Sequence, residues 1–191
     1  MSSSLSTLFD EILDLRQQLG SPIRHLARPP LPKNEIAALF HSAGIRAPQI
    51  LLDLYSITDG FNPQDEVRFI DDGALLPLEA AIKAFHRWKP ILLEYEYPAL
   101  FPITENEFGA GTGVLLDKSS NPDPPVLQLP LQCGTDQFYD SVTLMFATLA
   151  AWLRAGVKSA YDIEAGPLEL ERHAAITKSL NPKSIHAKSA A

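Results

Sequence analysis

A chain of 191 residues is long enough for one well-buried core and slightly short for two ordinary domains. Its hydrophobic share of 46% and charged share of 20% exclude a disordered or fibrous chain, and a formal net charge of −7, from 16 Lys and Arg against 23 Asp and Glu, opposes direct binding of nucleic acid. Cys133 is the only cysteine, so an internal disulfide is impossible and thiolate ligands for zinc are too few, which fits a reducing, cytoplasmic compartment.

The first residues, MSSSLSTLFDEILDL, carry acids early and no basic stretch ahead of an apolar core, so no secretory signal is expected. Leu5, Leu8, Phe9, Ile12, Leu15 and Leu19 recur at helical spacing, with Ser4 as N-cap and Gly20 just past the end. The next stretch, SPIRHLARPPLPK, has four prolines and reads as an extended connector. Asn34 is placed to cap a short helix that Gly44 stops, and Pro48 sits in the first turn of another, over 49–57, that Gly60 closes. Val67 and Phe69 ahead of an Asp71-Asp72-Gly73 turn suggest a brief strand.

A helix from Leu78 to about Trp88 follows, with Pro90 limiting its continuation. Three short apolar runs at 100–104, 112–117 and 126–132, separated by Gly-rich and Pro-rich turns, predict an antiparallel meander. Asp140 or Ser141 then caps a helix over 142–153, which Gly156 terminates and which is expected to pack across the sheet. That apolar stretch is far shorter than the roughly 20 residues that span a bilayer, so no membrane crossing is expected. A weaker helix starts at Gly166-Pro167 and runs to about Leu180, leaving a tail with little to bury. The pattern predicts an α+β fold, a small mainly antiparallel sheet packed against helices.

The order of these elements resembles the SUKH superfamily, specifically its Smi/Knr-type branch. The residues that carry the likeness are APQILLDLYSITDGF at 47–61, LLPLEAAI at 75–82, LFPITENEFGAGTGVLLD at 100–117, PPVLQL, and SVTLMFATLAAWLRAG. The chain departs from the family pattern at Asp59-Gly60, where Asn-Gly is frequent, and at Gly111-Thr112, where Gly-Asp or Gly-Asn is frequent. The resemblance divides the chain into an N-terminal helix and Pro-rich connector (1–33), a SUKH-like domain (34–161), and a C-terminal helical extension and tail (162–191). It implies an α+β protein-binding module, commonly a bacterial immunity protein that neutralises a toxin and, in fungi, a cell-wall regulator.

Signals for catalysis are weak when read residue by residue. Gly109, Gly111 and Gly113 would cradle phosphate only with a strand before them and a helix after; a strand follows, so a hairpin or bulge is the better reading, and a nucleotide-dependent enzyme using this loop and Asp117 is disfavoured. The five histidines, at 25, 41, 86, 173 and 186, lack metal-ligand spacing. Cys133 has no base nearby, Ser141 reads as a helix cap, and Met145, Phe146 and Trp152 at helical spacing read as core. No catalytic residue, metal ligand or cofactor is expected.

Charge is the most informative asymmetry. Residues 53–107 hold eleven acids against four bases, a net −7, while the segments on either side carry +1 and −1. Such a run is either a solvated surface or a docking face that steers a basic partner. Glu94-Tyr95-Glu96-Tyr97 adds aromatic anchors among acids, a combination suited to an interface. The candidate partner-binding residues are Asp59, Asp65, Glu66, Asp71, Asp72, Glu94, Tyr95, Glu96, Tyr97 and Glu105. The expected partner is another protein, such as a basic nuclease-like toxin domain; the alternative is a regulatory or scaffold protein of the Smi/Knr type with no link to a toxin.

Overall fold

The computed structural model describes residues 4–21, 23–62, 69, 73–94, 99–106, 109–116, 121–129, 137–156 and 167–184. Helix α1, Leu5–Gln18, starts where Ser4 accepts a hydrogen bond from the Thr7 amide at 3.2 Å, and its inner face buries Leu8, Phe9, Ile12 and Leu13. The connector behind it is extended except for one 3-10 turn, Arg24–Leu26, after which Ala27 bridges to Phe61.

Helix α2, Lys33–Ser42, begins ahead of the expected cap. Asn34 lies inside the first turn, and Pro32 starts the helix instead, its carbonyl accepting from the Glu35 and Ile36 amides at 2.9 and 3.0 Å. Proline at this point costs no amide that the helix would have paired. Helix α3, Gln49–Tyr55, follows Pro48 and stops two residues short of Ile57; the Ser56 hydroxyl folds back onto the Leu52 carbonyl at 2.7 Å.

Strand β1, Ala74–Leu75, leads into helix α4, Leu78–Glu94. This helix runs through Pro90, six residues past its expected end at Trp88. An interior proline removes a backbone hydrogen bond; the offset comes from Leu92, which joins Leu100, Leu127 and Leu129 in a small second apolar cluster. The amino-terminal half of α4 faces the main core through Leu78, Ala81, Ala84 and Phe85. One helix thus reaches both faces of the sheet.

That sheet is β2 (Leu100–Pro102), β4 (Thr112–Leu115), β5 (Val126–Gln128) and β6 (Gln137–Tyr139), antiparallel in the order β2-β4-β5-β6. The expected meander is present, with two differences. The first run splits, so that β3, Thr104–Glu105, leaves to pair with β1. A fourth strand, β6, joins the sheet beyond the three runs the sequence predicts. Alternation along β2, β4 and β5 sends Phe101, Val114 and Val126 to the main core and Leu100, Leu115 and Leu127 to the second cluster. The strand expected around Val67 lies outside the described residues, but Phe69 is fully buried, its ring 5.4 to 5.7 Å from those of Phe9, Phe61 and Phe146.

Helix α5, Val142–Arg154, has the expected cap at Ser141. It does not lie squarely across the sheet. It packs chiefly between α1 and α6, Pro167–Leu180, and meets the sheet through β6. Residues beyond α6 also bury more than expected: Asn181 and Ser184 are both fully covered. Among the described residues, six α-helices and two small antiparallel sheets, packed on each other, make an α+β single domain, as the sequence predicts. Among the described residues no helix is long and apolar enough to cross a membrane.

Two substitutions check this account. A Cβ on Gly111 would lie 2.0 Å from the Thr104 carbonyl oxygen, so Gly111→Ala must push β3 away from its neighbour and should cost roughly 2–4 kcal/mol in urea unfolding. Pro90→Ala restores an amide donor in mid-helix and should raise stability by about 1–3 kcal/mol in the same assay.

Candidate functional site

Polar side chains converge where α3 ends and α4 begins. Pro77, the residue before α4, has no side-chain oxygen with which to cap the helix, so the cap comes from a distance. Asp59, brought in by the Thr58-Asp59-Gly60 turn, accepts from the Leu78 amide at 2.8 Å through Oδ1. Its other oxygen, Oδ2, accepts from the Arg28 Nε at 2.8 Å, and Arg28 also donates to Asn62 at 2.9 Å. Gly60 adopts φ +71° here, and a Cβ on it would come within 2.6 Å of the Leu75 carbonyl oxygen. The turn can therefore approach β1 only with glycine at this position.

Asp59 was expected on a partner-binding face, and the structure places it inside: it is 4% exposed and both its oxygens are engaged by the fold. Beside it the Tyr55 phenol is wholly buried, and that burial, with a smaller contribution from the Asp59 charge, holds its pKa far above the usual tyrosine range. Tyr55 is thus a neutral core residue, not an acid or a nucleophile.

Two other candidates lie among the described residues. Glu105, on β3, pairs with Arg87 of α4 and is mostly covered, its side chain 17% exposed. Glu94 is exposed at the carboxyl end of α4. The seventeen residues of that helix set Glu94 about 24 Å from the end that Asp59 caps, so these two do not converge. Glu94 shares a helix face with Arg87, seven residues earlier. Asp65, Glu66, Asp71, Asp72, Tyr95, Glu96 and Tyr97 lie outside the described residues.

The exposed surface of α4 carries Lys83, His86, Arg87 and Lys89 against Glu79 and Glu94. Within 53–107 the described residues hold five acids and three bases; one of the acids is interior and one is paired. Most of the segment's negative excess therefore belongs to the residues that are not described.

An exposed acidic row lies elsewhere, on α1. Asp10 and Asp14 both receive Arg24, at 3.1 and 2.9 Å, and Glu11 receives Arg154 through two hydrogen bonds of 2.6 Å. These carboxylates raise the pKa of each guanidinium further, mainly through the hydrogen bonds to Asp10 and Glu11. The acids edge a shallow hollow of about 560 Å³, lined by α1 alone. The signal in the sequence was the i, i+4 repeat of Asp10 and Asp14 on the polar side of an amphipathic helix, which the mid-chain charge excess overshadowed.

The remaining chemically suggestive residues have structural work. Ser141 Oγ accepts from the Leu144 amide at 3.1 Å, while Asp123 accepts from Val142 and Thr143, so α5 is capped twice. His173 stacks on Trp152 at 3.8 Å between ring centroids. Gly111 and Gly113 lie at close backbone approaches within the sheets. Among the described residues no three His, Cys, Asp or Glu side chains are placed to hold a metal ion. Cys133 and His186 lie outside the described residues.

Removing the buried carboxylate separates its fold role from a surface role. Asp59→Ala leaves the Leu78 amide uncapped and Arg28 unpaired, and should lower stability by about 2–4 kcal/mol in urea. Asp59→Asn, which keeps a cap oxygen, should lose less. A thermal midpoint unchanged in both variants would show that the carboxylate is not needed for folding.

No protein-family model matches the chain, and no curated protein matches it as a relative, so the SUKH likeness rests on the order and spacing of motifs alone.

Proposed function

We propose that this protein is a non-catalytic, cytoplasmic protein-binding module of the immunity type, which binds and neutralises a toxin domain through acids and tyrosines in the middle of the chain. The observation that carries the reading is the confinement of the whole net charge of −7 to residues 53–107, while the rest of the chain is close to neutral. The likeness to the SUKH superfamily points the same way, and so does the structural employment of Asp59, Asp123, Glu105 and Glu11, which cap helices or pair with arginine.

A basic nuclease-like domain suits such a surface. Its active site must attract phosphate, so a protein presenting carboxylates can occupy the same positive potential and exclude substrate by charge and by bulk. Tyr95 and Tyr97 would supply contact area at little cost in side-chain entropy.

The experiment is capture on the immobilised full chain at low salt, followed by kinetics with whatever domain is recovered. A basic domain whose nuclease activity the chain inhibits is the expected result. Recovery of a stable complex without a toxin activity favours the regulatory or scaffold alternative, and recovery of no stable partner counts against both. Reversing Asp65, Glu66, Asp71 and Asp72 to lysine should slow association at least about tenfold at low ionic strength and leave the thermal midpoint nearly unchanged. An unchanged association rate would eliminate the steering role. Deleting residues 1–32 is not a useful control, because Phe9, Ile12 and Leu13 belong to the main core.

A further inference from the structure

Residues 27–33, from the end of the 3-10 turn to the first residue of α2, read Ala-Arg-Pro-Pro-Leu-Pro-Lys. Both ends of the segment have polyproline II backbone: Ala27 has φ −65° and ψ 129°, Pro32 φ −59° and ψ 138°. The prolines between fix φ in the same range. The body of the protein holds the strand in place. The Arg28 amide donates to the Gly60 carbonyl at 2.9 Å, the Leu31 amide to the Tyr55 carbonyl at 3.0 Å, and the Asp59 amide to the Pro29 carbonyl at 3.3 Å.

Polyproline II has three residues per turn and so three edges. Arg28 and Leu31 share one edge, and it is the anchored one: Arg28 pairs with buried Asp59, and Leu31 packs half-buried against the core. Of the other two edges, one carries Pro29 with Pro32 and the other Pro30, flanked by Ala27, which is half-buried against the core, and by Lys33, the first residue of α2. Pro29, Pro30, Pro32 and Lys33 are all exposed.

We propose that this ridge is a docking site for a protein domain with a proline-recognising groove lined by aromatic side chains. Such grooves take polyproline II ligands by seating ring edges between aromatic faces. An unfolded Pro-rich peptide presents the same rings but must still lose chain freedom on binding; here the backbone is already fixed along its length. Pro29, Pro30 and Pro32 are the rings left exposed for such a groove, and Lys33, at the ridge's end, is exposed beside them for an acid at the groove margin. The inference stands apart from the acid and tyrosine reading and survives if that reading fails.

The test uses the full chain, labelled for NMR, titrated with two isolated probe domains, one of the WW type and one of the SH3 type. Saturable shifts centred on residues 27–33 with at least one probe, with Kd between about 10 and 500 µM, are expected. Pro30→Ala, and Pro29→Ala with Pro32→Ala, should each weaken that binding about tenfold while the rest of the spectrum stays in place. A probe whose groove aromatics are replaced by alanine should bind at least tenfold more weakly, a control that does not depend on how the proline variants fold. No saturable shift with either probe at about 1 mM, or binding that the altered probe retains, would overturn the proposal.

Discussion

A carboxylate taken out of water destabilises a fold unless other groups replace its hydration, and Asp59 makes the beginning of α4 depend on that replacement. Its two oxygens accept from a helix amide nineteen residues later and from a guanidinium thirty-one residues earlier. One side chain thereby fastens the Pro-rich connector and the end of α3 to the start of α4. The consequence runs on through the helix. Phe85 packs against Phe101 at 6.1 Å between ring centroids and Leu92 joins the cluster under β2, so the direction in which α4 leaves Asp59 sets where the sheet can lie.

The same device, a helix capped from far away in the chain, recurs at α5. Asp123 reaches the Val142 and Thr143 amides, and Asn181 accepts from the Asp140 amide just before the helix while donating to Thr148 within it. Among the described residues from His173 onward, those buried are His173, Thr177, Asn181 and Ser184, spaced by four, four and three. That stripe is polar throughout. The C-terminal helix is held by hydrogen bonds and one ring stack more than by apolar area, which is why the sequence reads as a weak amphipathic helix followed by a tail with nothing to bury.

How much was legible follows from whether the determining group is local. Ser4, Gly20, Ser141 and Gly156 act within one turn of the helix they end, so α1 and α5 are readable almost to the residue. The start of α2 is missed because Asn34 looks like a cap and Pro32 is one already. The run of α4 through Pro90 depends on Leu92 meeting Leu127 and Leu129, partners more than thirty residues away. Asp59 fails as a surface residue for the same reason. Nothing near it in sequence reveals that Leu78 needs its oxygen, so it looks like one more acid in an acidic stretch.

This difference bears on the candidate site as a whole. An acid contributes to a long-range field only to the extent that it is neither buried against a cation nor neutralised at the surface. Asp59, Glu105, Asp10, Asp14 and Glu11 each have an arginine within hydrogen-bonding distance, and their contribution to steering is correspondingly small. Glu94 stands on a helix face that also carries Arg87, with Lys83 and Lys89 exposed nearby. Six more acids of 53–107, Asp65, Glu66, Asp71, Asp72, Glu96 and Glu107, lie with Arg68 outside the described residues. A recognition surface that used them would rest on a frame whose carboxylates Asp59, Asp123, Glu105 and Glu11 are already engaged in helix caps and arginine pairs, so that the frame does not have to change for binding to occur.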